Sequence, residues 1–310
     1  MQAVTRFLKG KMFKGKDVYG FLDPLAPSIG LQFYFIGSRA TAYAKYPGEK
    51  NWLFDENMKP LVNNPAWVRA IQDMVDALPY EPADQIDANV GTIAFQQFLT
   101  GTGSLLAWWG DIGSQACTTD TSVIGNVLDF DLLPGSDDVY NFRTGQWEKL
   151  PTGPNVAPNM AFLGWGIYVM KSVDSDPKRH KAAWSAAAHL GGKELSMWAA
   201  AYPSQFGPYR KSHANIDNWV LAGYDREYAT SYMKSQSGSY NHPNAAIEPR
   251  IPGIFQYYIL AEEELHKTFA GKQTAQQGAD NVAAAWEKLT DTLGRENQIK
   301  YYRTAMGLAS

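Results

Sequence analysis

Residues 95–111 read FQQFLTGTGSLLAWWGD, and they constrain the fold more than any other stretch of the chain. The apolar spacing begins at a helical period and ends at a strand period, with a Gly-Thr-Gly break between them. One short segment therefore asks for both a helix layer and a sheet layer. A helix over 91–100 should feed a small apolar strand that delivers Trp108, Trp109 and Asp111 at its end. Successive strand side chains point to opposite faces. On that geometry Trp109 shares a face with Asp111, and Trp108 turns toward the core. An aromatic face beside an acceptor suits an uncharged polyhydroxylated molecule, because the ring covers apolar C–H groups and the carboxylate accepts from hydroxyls. It does not suit redox, phosphate or metal chemistry.

The layering extends beyond this segment. Residues 4–14 read as the tail of a helix, 18–22 as a buried strand, and 29–43 as an apolar helix carrying Phe33, Tyr34 and Phe35. Asn64-Pro65 is a helix start, with Val68, Ile71, Val75 and Leu78 following at helical spacing. VLDFDLL at 127–133 alternates like a strand, and 136–160 reads as a polar excursion loop. FLGWGIYVM at 162–170 reads as a near-continuous buried strand, followed by helices over 176–190 and 193–202. Beyond 203 helices dominate, at about 214–235, 252–271 and 273–293, with a last one to 307. The class is α/β, with a helical C-terminal section.

At 310 residues the chain is long enough for two domains around a substantial core. It is 45% hydrophobic and 19% charged, an ordinary globular balance rather than a disordered one. Net charge is −3 with no basic patch, which argues against nucleic acid. Cys117 is alone, so neither a disulfide framework nor a cysteine-rich metal site can be built. No apolar run reaches the length of a membrane span. Residues 1–17, MQAVTRFLKGKMFKGKD, lack the apolar centre of an export signal.

Gly101-Thr-Gly103 fails as a dinucleotide fingerprint, since position 106 is Leu and the glycines follow a helix instead of a strand. His180, His189, His213, His242 and His266 are scattered and read mostly as surface residues, with no zinc spacing among them. No G-x-S-x-G elbow is present, and no two carboxylates stand out as a glycosidase pair. Gly164-Trp165-Gly166 sets a large ring between two residues that let backbone approach a ligand. In GPYRKS at 207–212, Pro208 forces an extended segment from which Arg210 can present its five donors. Phe255, Tyr257 and Tyr258 open a helix, where one tyrosine can face a cleft while the other packs. Glu262-Glu263-Glu264 read as a solvated face.

Taken in order, these pieces resemble the extracellular solute-binding proteins (family 1) of carbohydrate ABC importers. The resemblance runs through Asn64-Pro65, Phe95–Asp111, Leu132-Leu133-Pro134-Gly135, Leu163–Val169, the 176–190 helix, Gly207–Ser212 and the tail Trp286…Gly294-Arg295…Tyr301. The departures are Leu105-Leu106, where the family often has Ala-Met, and Leu163, where it has Gly. The resemblance implies a bilobal, type II periplasmic-binding-protein-like fold that traps its ligand by hinge closure. The ligand-binding residues it implies are Trp109, Asp111, Gly164, Trp165 and Arg210, with Tyr257 or Tyr258 and Phe33. It implies no catalysis, no cofactor, and a monomer that delivers a sugar, polyol or short oligosaccharide to two membrane permease subunits. The missing basic cluster near Trp109 argues against phosphorylated ligands. A carbohydrate-active enzyme using a carboxylate pair and a non-catalytic interaction module remain as alternatives.

Against the family, this chain begins with the second lobe already under way, so the N-terminal lobe is expected to be truncated. The expected segments are 1–160 as the first part of the C-terminal lobe, 161–205 returning to the N-terminal lobe, and 206–310 completing the C-terminal lobe. A periplasmic location, or an extracellular membrane-anchored one, is implied for the full-length protein. On this reading the 162–170 segment exposes apolar surface, and the chain alone closes imperfectly and binds weakly. Sub-micromolar sugar affinity for this chain would contradict that expectation.

Overall fold

The computed structural model describes residues 2–13, 15–90, 93–162, 164, 166–202 and 206–308. In chain order the elements are α1 (Gln2–Leu8), β1 (Lys11–Phe13), β2 (Lys16–Phe21), α2 (Gln32–Ala44), α3 (Pro65–Ala77), α4 (Ile93–Leu99), β3 (Gly103–Leu105) and α5 (Ile112–Thr118). There follow β4 (Asp138–Asn141), β5 (Gln146–Lys149), β6 (Asn159–Met160), α6 (Pro177–Leu190), α7 (Lys193–Ala201), α8 (Ile216–Leu221) and α9 (Arg226–Tyr240). The chain ends with β7 (Ala246–Ile247), α10 (Ile254–Phe269), α11 (Ala275–Leu293) and α12 (Arg295–Met306). The α/β class is as the sequence implies.

The chain divides into two compact units. Unit 1 is Met1–Ala107, Leu132–Phe162 and Ser239–Ser310, and unit 2 is Trp108–Asp131 and Leu163–Gly238. The sequence-expected segments are 1–160, 161–205 and 206–310, and the compact units are bounded differently. Trp108–Asp131 belongs with the later helices, and unit 2 continues past 205 to Gly238. The reason is aromatic packing: Phe130 lies 5.1 Å from both the Tyr228 and Tyr232 rings of α9.

In unit 1, β2 pairs antiparallel with β1 and parallel with β3, through Tyr19↔Gly103 and Phe21↔Leu105. The helix-break-strand reading of residues 95–105 therefore holds, but β3 stops at Leu105, short of the tryptophans. The 4–14 helix ends at Leu8 and gives way to β1. The expected 136–160 loop contains a hairpin, β4 paired with β5, and then β6, which pairs parallel with β7. Helix α3 starts where its sequence says: the Asn64 side chain accepts from the Ala66 and Trp67 N–H groups, and Pro65 opens the first turn.

The core of unit 1 is aromatic. Phe33 lies between Trp67 and Tyr258, at 5.6 Å and 4.8 Å between ring centroids, and Phe54 stacks on Trp286 at 4.8 Å. Buried indole N–H groups find backbone acceptors: Trp67 on the Trp52 carbonyl at 3.1 Å, and Trp286 on that of Tyr257 at 2.7 Å.

Two buried glutamates stand out in this unit. Glu262, the first of three consecutive glutamates, is 1% exposed and accepts from the backbone N–H groups of Ser28, Gly30 and Phe33 at 2.9, 2.9 and 3.2 Å. It is not part of a solvated face; it fixes the turn that starts α2. Glu81 is also buried, and neither carboxylate oxygen has a hydrogen-bond partner. Burial pushes its pKa up to about 9, and the Asp23 carboxylate reinforces that rise while Arg39 opposes it.

A raised carboxyl pKa means the folded state holds its proton more tightly than the unfolded chain. Stability is then highest at low pH and is lost as pH rises from the ordinary 4.5 toward 9. In Glu81→Gln that slope should disappear, and the variant should exceed the parent at pH 8 by about 1–3 kcal/mol. Urea melts at pH 5 and pH 8 measure this, and equal slopes in both proteins would refute it.

Unit 2 is helical among its described residues. Ala200, Ala201, Trp219, Tyr224, Tyr228, Ala229, Tyr232 and Met233 form its core, with Leu128 and Phe130 packed against them. VLDFDLL is not a strand: Phe130 serves this core instead. Residues 166–170 are also not a strand. Among the described residues nothing pairs with them, and Ile167, Tyr168 and Met170 are exposed. Helix α6 has the expected Asp176 cap but buries none of its side chains. No helix among the described residues is long and apolar enough to cross a membrane.

Candidate functional site

Four of the expected site residues fall in unit 2: Trp109, Asp111, Gly164 and Arg210. Because β3 ends early, Trp108 and Trp109 are not alternating strand residues. Both are half-buried, and their rings meet edge to face at 5.4 Å. This corrects the division of one tryptophan to the core and the other to ligand. The pair presents as one aromatic feature.

Asp111 follows directly at the start of α5. It does not cap that helix with its side chain. Gln115 donates its side-chain amide to Oδ2, whereas Oδ1 is buried without any hydrogen-bond partner. Burial pushes the Asp111 pKa up to about 6, against the opposing Gln115 hydrogen bond. An orphan carboxylate oxygen costs free energy until a donor reaches it. Only Gly110 separates this carboxylate from the aromatic pair, so both belong to one turn.

The turn is held from α9. Tyr232 donates its hydroxyl to the Gly110 carbonyl, and Tyr228 donates to that of Gly113 at 2.7 Å. A β-carbon on Gly110 would collide with the Gln236 amide, and one on Gly113 with the Tyr232 ring. Tyr228, Tyr232 and Gln236 recur every fourth residue, so they share one helix face. That spacing is the sequence signal for these positioning residues. Tyr232→Phe leaves the Gly110 carbonyl without its donor. The expected loss is about 1–2 kcal/mol in a urea melt, and an unchanged midpoint would count against this role.

The 207–212 segment packs on the same turn: a β-carbon on Gly207 would stand 3.4 Å from the Gly110 carbonyl carbon. His213 pins the segment and, contrary to the surface reading, is fully buried. Its Nδ1 accepts from the Tyr209 N–H at 3.3 Å, so Nε2 carries the proton and faces Ser196 Oγ at 3.2 Å. Burial, with Arg210 nearby, lowers its pKa and keeps it neutral. Arg210 itself is exposed. It donates to the Gly191 carbonyl just past the end of α6, and its guanidinium lies 5.8 Å from the Tyr209 ring centroid. Gly164 has φ +115 with open space where a side chain would be. Trp165 lies outside the described residues.

Phe33, Tyr257 and Tyr258 fall in unit 1 and are buried in its core at 2%, 0% and 1% exposure. The sequence expects Phe33 and one of the two tyrosines to face a cleft, whereas here all three side chains are packed in the core. The Tyr257 hydroxyl is spent on Thr290 at 2.9 Å, and Tyr258 stacks on Phe33. The open aromatic on α10 is Phe255, 38% exposed. Around it the backbone is strained. Ile29 and Phe162 both adopt positive φ, at 51° and 54°, and Phe162 lies 6.2 Å from Phe255 between ring centroids. Glu248 holds this corner by accepting from the Tyr34 hydroxyl at 2.6 Å and the Phe162 N–H at 3.1 Å. Strain of this kind costs on the order of 1–3 kcal/mol per residue and concentrates at binding sites.

No protein-family model matches the chain, and no curated protein matches it. Solved structures do. The chain is similar to maltose-bound MalE3 of T. maritima, at 17% identity and a TM-score of 0.60, over 88% of this chain and 61% of that one. It is similar to a ribitol-bound ABC transporter solute-binding protein of Agrobacterium radiobacter K84, at 17% identity and TM-score 0.64, over 93% of this chain and 63% of that one. A third is an ABC transporter solute-binding protein of Agrobacterium vitis S4 with bound D-mannitol, at 16% identity and TM-score 0.60, over 94% and 66%. The chain thus has the periplasmic-binding-protein fold of ABC transporter solute-binding proteins. It spans less than two thirds of the length of these structures.

Proposed function

We propose that this chain is the substrate-binding part of an ABC importer, taking an uncharged sugar, polyol or short oligosaccharide at the Trp108–Asp111 turn of unit 2. The carrying observation is the aromatic pair next to a buried carboxylate, on a segment held by hydrogen bonds from Tyr228 and Tyr232 of α9. Trp109 is the stacking surface and Asp111 the hydroxyl acceptor. Gly164 and Arg210 are further ligand contacts in the same unit, and Trp165 is a candidate from its sequence alone. The fold supports the reading, as do the maltose, ribitol and mannitol that the similar proteins hold. The partner is a membrane permease, the site of action lies outside the cytoplasmic membrane, and no bond is made or broken.

Tryptophan fluorescence titrated with ribitol, D-mannitol and maltose tests this, with product analysis on an aryl glycoside run in parallel. The expected result is a saturable change with at least one ligand and no released aglycone. Release of aglycone would favour the glycosidase alternative, and no response to any of the three would refute the reading.

A further inference from the structure

A concave surface lies wholly within unit 1, apart in sequence from the Trp108–Asp111 turn. It is an open groove of about 730 Å³ between the outer face of α3, the β4–β5 hairpin and the start of α11. Its lining includes the apolar Pro65, Val68 and Ala275 together with Arg69, Asp73, Asp138 and Trp147.

These polar groups are held by packing. The Arg69 guanidinium carbon lies 4.5 Å from the Tyr43 ring centroid and 5.2 Å from that of Trp147, and the guanidinium approaches Asp138 at 3.8 Å. Asp73 accepts the Tyr43 hydroxyl at 2.7 Å. Trp147 is also buttressed by Tyr140 at 5.5 Å, yet it remains 38% exposed. Arg69 and Asp138 keep 43% and 39% of their side chains open. Planar donors and acceptors, already oriented beside apolar side chains and an indole, lower the ordering cost of binding. One guanidinium against two carboxylates gives no net attraction for an anion. A neutral ligand with an apolar face and hydroxyls that both donate and accept suits this mixed lining.

We infer that this groove is a second saccharide site, independent of the Trp108–Asp111 turn and able to hold a short neutral oligosaccharide against Trp147. The test follows the indole N–H signals of the full chain by NMR as maltotriose is added, with Trp147→Phe used to assign the signal. The Trp147 signal should shift saturably, do so unchanged in Trp109→Ala, and require about tenfold more maltotriose in Asp138→Asn. A fixed Trp147 signal would overturn the inference. So would a shift that vanishes in Trp109→Ala, or one produced by an unrelated peptide but not by maltotriose. Because Trp109 and Trp147 report separately, failure here leaves the reading of the other site untouched, and the reverse also holds.

Discussion

Glu262→Ala should destabilise unit 1 by about 3–5 kcal/mol, whereas Glu263→Ala one residue along should change stability by less than about 0.5 kcal/mol. The Glu262 carboxylate is the acceptor for three backbone N–H groups, those of Ser28, Gly30 and Phe33. Removing it strands these donors, and each buried unpaired donor costs about 1–3 kcal/mol before any water enters. The turn it holds also includes Ile29, a β-branched residue at φ 51°, which has no conformational reason to stay there unaided. Burial raises the Glu262 pKa, with the Gly30, Ser28 and Phe33 N–H groups pulling the other way. Glu262→Gln keeps an acceptor oxygen and should lose less than the alanine variant. Urea melts of the three variants decide the matter, and equal midpoints for the 262 and 263 alanine variants would contradict it.

Affinity for a neutral polyol should rise with pH through about 6. Asp111 titrates near there because it is buried. A hydroxyl donating to Oδ1 favours the ionised carboxylate, so ligand lowers the Asp111 pKa below its free value. Between the bound and free pKa values each unit of pH then changes the affinity by up to about tenfold, and above the free pKa the curve is level. The same raised pKa makes the free fold lose stability as pH climbs from 3.8 to about 6. Asp111→Asn should flatten both curves. Calorimetric titrations at pH 5, 6 and 8 provide the check, and an affinity that falls with pH would remove Asp111 from the ligand.

Much of this was legible in residue types with local consequences. Asn64-Pro65 capped α3 as read, and the glycine break after residue 100 produced the α4-to-β3 switch. Other errors came from long-range packing. Glu262 stands in a run of three charges that suggests a solvated face, yet it sits four residues after Tyr258 and three before Leu265, both buried. Tyr257 and Tyr258 looked available because their bond and stacking partners, Thr290 and Phe33, lie far away in the chain. The Trp108–Trp109 geometry turned on where β3 stops, a boundary that apolar spacing does not mark. FLGWGIYVM was read as strand from composition, but a strand needs a neighbour, and residues 166–170 have none among the described residues.

The central claim is that the Trp108–Asp111 turn holds an uncharged polyhydroxylated ligand. Isothermal titration of the wild-type chain and Trp109→Ala with ribitol, D-mannitol and maltose tests it most directly. The account expects at least one ligand to bind the wild type and to lose about ten- to a hundredfold in affinity when the indole is removed. Equal affinity in the two proteins, or no binding of any of the three by the wild type, would contradict it.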